Sequence, residues 1–158
     1  MKNYIYFLAV FCLFSFNHLH AQDSQVGKIV TIKGYKNANN KKVKDGIKAE
    51  VILDLPNIKL YRVFSASSVN VNQGGGNRGN VDVSDTFWYC KRPNEDVATI
   101  VSWTFRTQVN KNSIFRKNAT EYFKDYPQLS KKIDDKELKH DDIVEVVTQY
   151  DTWKAGGN

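Results

Sequence analysis

Side chains able to do chemistry become scarce once the start of the chain is set aside. The sequence has three histidines and two cysteines, but His18, His20 and Cys12 fall in a stretch that reads as an export signal, which leaves His140 and Cys90. Zinc takes three or four ligands drawn mainly from histidine and cysteine, so one of each predicts no metal site. A serine triad would have only His140 to draw on, and no G-x-S-x-G turn accompanies it; the histidine reads as a solvated residue at a helix start. Cys90 lies between Tyr89 and Lys91 with no histidine near it in sequence to activate a thiolate, so it reads as a buried apolar residue of a strand. Glu50, Asp54, Asp82, Asp85, Glu95 and Asp96 keep open a sugar hydrolase built on two carboxylates. The glycine-rich run Gln73 to Gly79 has backbone amides for an anion, yet it lacks the GK[ST] ending and following helix of a phosphate loop and reads as a hairpin tip. The run Asp134 to Asp142 lacks the glycine and alternating oxygen ligands of a calcium loop. No catalytic residue, metal or other cofactor is expected from this inventory, and an enzyme is the less favoured class.

Aromatic residues carry the stronger signal. Phe87, Trp88, Tyr89 and Trp103 flank the turn Pro93 to Asp96, and strand alternation sends Trp88 to the opposite side from Phe87 and Tyr89. If the sheet is covered on one side only, at least one ring faces outward, where it can grip a sugar ring or a partner protein. The candidate binding residues are therefore Trp88, Tyr89, Arg92 and Trp103. The competing expectation is that C-terminal helices cover that face.

The elements that must position these residues follow from periodicity. Lys28 to Tyr35 alternates and ends in the polar stretch Lys36 to Gly46. Ile47 to Leu55 places Ala49, Val51, Leu53 and Leu55 on one face, and Pro56 and Asn57 turn the chain into a second alternating run, Ile58 to Ala66. Ser65 to Asp85 is loop-like, although its flanks read as frayed strands of one long hairpin. In Asp96 to Thr107, Val97, Thr99, Val101, Trp103 and Phe105 share a face. After about Asn110 the period changes to three and four, through Phe115, Ala119, Tyr122, Phe123 and Tyr126. Asn112 or Ser113 is the expected cap, with Asp125 capping a short helix after Pro127. A last helix beginning near His140 to Asp142 turns Ile143, Val146, Val147, Tyr150 and Trp153 to one side.

The chain is 158 residues long with 23 basic and 17 acidic residues, a formal net charge of +6. Lys2, the apolar run Tyr4 to Phe16 and the polar stretch leading to Ala21 form the three parts of a secretory signal. That run is shorter than the roughly 18 to 20 residues a spanning helix needs. Leu19 and Ala21 suit cleavage before Gln22, and Phe11 before Cys12 does not suit lipidation, so no stable membrane anchor is expected. Removing Lys2 lowers the charge by one. A mild lysine excess interspersed with acids does not suit a dedicated nucleic-acid binder, the length supports one ordinary domain and excludes a large multidomain enzyme, and a lone cysteine forms no internal disulfide.

The stretch Phe115 to Tyr150, with Tyr122, Phe123, Asp125, Pro127, Leu129, Ile133 and Ile143, resembles the tail of a group of uncharacterised secreted Bacteroidetes-type proteins; "KIVTIKG" and "IKLYRV" resemble the strands such proteins place ahead of it. The resemblance implies a secreted β-rich protein with an amphipathic helical tail, and no catalytic residue or ligand. The expected architecture is α+β: an antiparallel β-sheet or small β-sandwich followed by C-terminal helices packed on it. Residues 1–21 form the signal, 22–112 the β domain and 113–158 the helical segment. The expected function is non-enzymatic binding in the periplasm or outside the cell, with an envelope protein or surface glycan as partner. A carboxylate-based glycan hydrolase and a periplasmic immunity or inhibitor protein are the alternatives. Sequence leaves the oligomeric state open.

Overall fold

The computed structural model describes residues 24–73, 77–105 and 110–157, with side chains described outside 67–83. The expected signal, Met1 to Ala21, and the glycine triplet Gly74 to Gly76 lie outside these residues. Seven strands come first: β1 (Ile29–Ile32), β2 (Tyr35–Lys36), β3 (Lys42–Val43), β4 (Ile47–Asp54), β5 (Lys59–Gln73), β6 (Asn77–Lys91) and β7 (Ala98–Thr104). Helices α1 (Lys111–Tyr122) and α2 (Pro127–Asp134), a 3-10 turn (His140–Asp142) and α3 (Ile143–Ala155) follow. The fold is α+β, with helices packed after the sheet. Among the described residues no helix is long and apolar enough to cross a membrane.

The strands form one sheet in the order β1-β4-β5-β6-β7-β2-β3. Every described pair is antiparallel except β2 with β7, where Tyr35 lies beside Ala98 and Lys36 beside Thr99 in parallel. The sheet is thus mixed rather than wholly antiparallel, and it curls instead of dividing into a sandwich. Only Lys33 and Gly34 separate β1, at one end of the strand order, from β2, next to the other end. Three residues of chain reach about 11 Å at most, so the two ends must lie close together.

The curl explains why both faces are apolar. Ile32, Ala49, Val51, Tyr61, Tyr89, Ala98 and Ile100 pack together on the inner face. Ile58, Leu60, Cys90 and Val101 form the outer face and share a core with Phe115, Phe123, Leu129, Ile133, Ile143, Val146, Val147 and Tyr150 from the helices. Fully burying each large apolar side chain contributes roughly 1.5–3 kcal/mol, which allows the described residues, among which Cys90 is a free and buried thiol, to be held by their core.

Two bulges correct the face assignments drawn from simple alternation. In β4 the register shifts between Val51 and Leu53. Ala49 and Val51 therefore face the interior of the curl while Leu53 and Leu55 pack toward the helices. A second shift lies between Trp88 and Tyr89 of β6, opposite Ser102 and Ile100 of β7. Val101 and Ser102 are both fully buried on the helix side, and Trp103 returns to the inner face. An extra residue reverses the inward set beyond it, so a strict period of two fails there.

The helix starts also depart from expectation. Asn110, without a side-chain cap, precedes α1, and Tyr126 precedes α2. Asn112 instead accepts a hydrogen bond from the backbone N–H of His140 at 3.1 Å, and Asp125 serves Arg92 and Tyr150. Pro127 at the first position of α2 needs no N–H partner. The acidic residue that does cap is Asp142, which accepts from the N–H of Lys139 at 2.8 Å.

The corner joining β1 to β2 depends on Gly34. Its φ is +78°, and a Cβ there would sit 2.8 Å from Val97 Cγ1; its carbonyl accepts from the N–H of Ala98 at 3.3 Å. A Gly34→Ala variant should lose about 1–3 kcal/mol of stability, from the left-handed backbone and the contact together. Urea denaturation measures this, and an unchanged midpoint would refute the assigned role.

Candidate functional site

The four candidate binding residues do not converge on one patch. Trp88 lies toward the helices, with its ring edge-on to His140 at 6.5 Å between centroids. Tyr89 is buried on the inner face, edge-on to Tyr35, and burial with help from Tyr35 pushes its hydroxyl up to about 12. Trp103 packs beside it on that face. Only Arg92 borders an open groove.

Arg92 follows β6 and is bound by groups from three parts of the chain. One of its terminal nitrogens donates to Asp125 Oδ1 at 2.8 Å and to the carbonyl of Tyr122 at 2.7 Å. That carbonyl belongs to the last residue of α1, where the helix has no internal donor to offer. The other lies 3.6 Å from Glu95 Oε1, and the guanidinium sits over the rings of Tyr122 at 4.4 Å and Tyr150 at 4.7 Å. The tyrosine hydroxyls complete the network, Tyr122 donating to Glu95 Oε2 and Tyr150 to Asp125 Oδ2, each at 2.8 Å. Burial above all pushes both hydroxyls well above the ordinary tyrosine range. They are protonated donors, and the two carboxylates are committed to them and to Arg92.

The groove beside this network has a volume of about 840 Å³. One wall is the end of β2 at Lys36 and the turn after it, Asn37 to Asn40; the other is the face of α1 with Lys117, Asn118 and Glu121 and, just past that helix, Lys124, and Arg92, Glu95 and Tyr122 also line it. Asn37 builds the turn, its side-chain oxygen accepting from the N–H groups of Asn39 and Lys41 at 3.0 Å. Asn40 takes the left-handed conformation, with φ at 57°, which asparagine tolerates better than most residues. Ala38, Asn39 and Asn40 stay exposed. Lys124 is paired with Glu121 at 2.6 Å. Among the described residues neither Lys36 nor Lys117 has a carboxylate partner. Groove cations therefore outnumber groove anions, and amide groups stand beside them.

The remaining reactive types are occupied in the core or on the surface. His140 is only 7 % exposed, so the expected solvated histidine is instead buried, with Nδ1 hydrogen-bonded at 2.6 Å to the fully buried Ser102 Oγ. This pair was missed because residues 38 positions apart meet only after the second bulge turns Ser102 toward the helices. Cys90 is fully buried, and burial pushes its thiol well above the ordinary range. Of the carboxylates considered for hydrolysis, Glu50 pairs with Arg62 at 2.7 Å and Asp54 with Lys59 at 2.6 Å. Asp96 lies 3.9 Å from Lys42, and the Asp82 side chain lies outside the described residues. Among the described residues no group of three or more His, Cys, Asp or Glu side chains is placed to hold a metal ion. No protein-family model, curated protein or solved structure matches the chain.

Two stability tests follow from this geometry. Arg92→Met should cost about 2–4 kcal/mol in urea denaturation, because Glu95 and Asp125 lose their shared cation in a half-buried site. Arg92→Lys should recover little of it, since an ammonium cannot span the same fork of acceptors; full recovery would show that charge alone suffices. For His140, burial holds the imidazole below its ordinary value, opposed by Asp141 and assisted by Lys111. The unfolded chain then takes up the proton first as pH falls, so stability is kept above the unfolded histidine's range, near about 6.5, and lost below it. Urea midpoints should fall between about pH 7.5 and about pH 5, and His140→Gln should reduce that slope; an equal slope in the variant would assign it to other groups.

Proposed function

We propose that the chain is exported and acts without catalysis, as a binding protein of the bacterial envelope that holds an acidic surface glycan in the groove between the Asn37–Asn40 turn and α1. The observation that carries this reading is the pair of lysines, Lys36 and Lys117, that border an open polar groove and have no carboxylate partner among the described residues. Asparagine amides supply donors and acceptors suited to sugar hydroxyls, and a lysine supplies a charge-assisted hydrogen bond to a uronate or phosphate. The Arg92 network stiffens the groove beside them, which limits the ordering cost of binding. Export rests on the signal-like first 21 residues and on the resemblance of the helical tail to secreted Bacteroidetes-type proteins. The polar groove favours a glycan over an envelope protein as the ligand.

Titration of the purified chain with a uronate-containing oligosaccharide, followed by amide chemical shifts, should perturb Asn39, Asn40 and Asn118, and an uncharged oligosaccharide of the same length should bind more weakly. The double variant Lys36→Gln, Lys117→Gln should weaken binding by at least about tenfold, since each hydrogen bond to a charged group contributes about 1.5–3 kcal/mol. Binding unaffected by that variant would remove the groove from the reading; shortening of the oligosaccharide would overturn its non-catalytic character.

A further inference from the structure

The paired strands β5 and β6 run far beyond the rest of the sheet. They pair with each other continuously from Lys59 with Lys91 to Gln73 with Asn77. The ladder between β4 and β5 ends at Glu50 with Arg62, and that between β6 and β7 begins only at Thr86 with Thr104. From about Phe64 outward the hairpin is therefore a two-stranded arm, roughly 30 Å long at about 3.3 Å per residue. Among the described residues no strand lies along its edges. Phe64 is 54 % exposed, and Ser65, Ala66 and Ser84 at the base of the arm are exposed too.

An isolated two-stranded ribbon is marginal in water, and an open edge is a template for another strand. The two edges differ in chemistry. β6 carries Arg78, Asp82 and Asp85 and is interrupted by Gly79. β5, from Phe64 to Gln73, contains no charged residue, no proline and no glycine over its whole free length, so it lacks the lysines and prolines that commonly protect an edge. The open backbone groups call for an extended chain. An uncharged edge accepts an identical edge without like-charge repulsion, and a two-fold axis perpendicular to the ribbon preserves the strand faces, keeping register positions Val69 and Val71 on the same face as their counterparts in the other chain.

We propose that the occupant is a second copy of this chain: the free edges of β5, Phe64 to Gln73, pair antiparallel about a two-fold axis and join two arms into a four-stranded sheet. The proposal is independent of the ligand assigned to the groove. Sedimentation equilibrium of the purified full chain should show a reversible dimer at micromolar concentration. The double variant Ala66→Lys, Asn70→Lys should shift it to monomer with at least tenfold weaker association, as should Ala66→Glu, Asn70→Glu. Mixing the two variants should restore a heterodimer, which separates lost pairing from lost folding. A wild-type monomer at 100 µM would overturn the proposal. So would a Lys variant that still dimerises, or two variants that fail to associate on mixing while each keeps the wild-type circular dichroism spectrum.

Discussion

The Arg92 guanidinium cannot be placed until three separate pieces of chain are in position. It needs the carbonyl at the end of α1, the Asp125 carboxylate after that helix, and the rings of Tyr122 and Tyr150 from α1 and α3. Each contact is modest alone, but they share one nearly rigid planar cation, so displacement of any partner loosens the others. The network is a fastening between the helical layer and the end of β6, and it also stiffens the groove.

A sheet with two apolar faces must hide both. Here the helices take one face and the sheet takes the other by curling onto itself. The parallel contact of β2 with β7 brings the Asn37–Asn40 turn around to the α1 side, and without that contact the groove would have one wall. Fold and candidate site are linked through a corner that only a glycine can turn comfortably.

Sequence periodicity was sufficient wherever regular geometry prevailed. The hairpin of β4 and β5 and the apolar stripes of α1 and α3 follow from alternation or from three-and-four spacing, whereas Ser65 to Asp85, which reads as loop-like with frayed flanks, is paired strand on both sides of Gly74 to Gly76. Alternation failed at Ile52 and Val101, because one extra residue reverses every later side chain and leaves no mark on composition. The mixed sheet was not legible either, since a two-residue strand such as β2 is too short to show a period. The groove shares this obscurity: its walls come from residues near 37, 92 and 118, which tertiary closure alone assembles. Arg92 was visible as a candidate through its aromatic neighbourhood, whereas nothing in the local sequence sets Lys36 or Lys117 apart from the other lysines. His140 was misplaced because a polar residue beside two aspartates suggests solvent, and only Ser102, distant in sequence, supplies the buried partner.

The bent opening strand has a consequence for the order of assembly. Its first half finds a partner in β4, close by in the chain, but its second half must wait for Ala98 and Thr99 in β7. A chain emerging from its N-terminus therefore holds Tyr35 and Lys36 without their β7 neighbours until the middle of the sequence has appeared. Closure of the curl is a long-range event whose loop entropy must be met before its contacts contribute. The β4–β5–β6–β7 meander, built from neighbouring strands, offers the local scaffold on which that late event occurs.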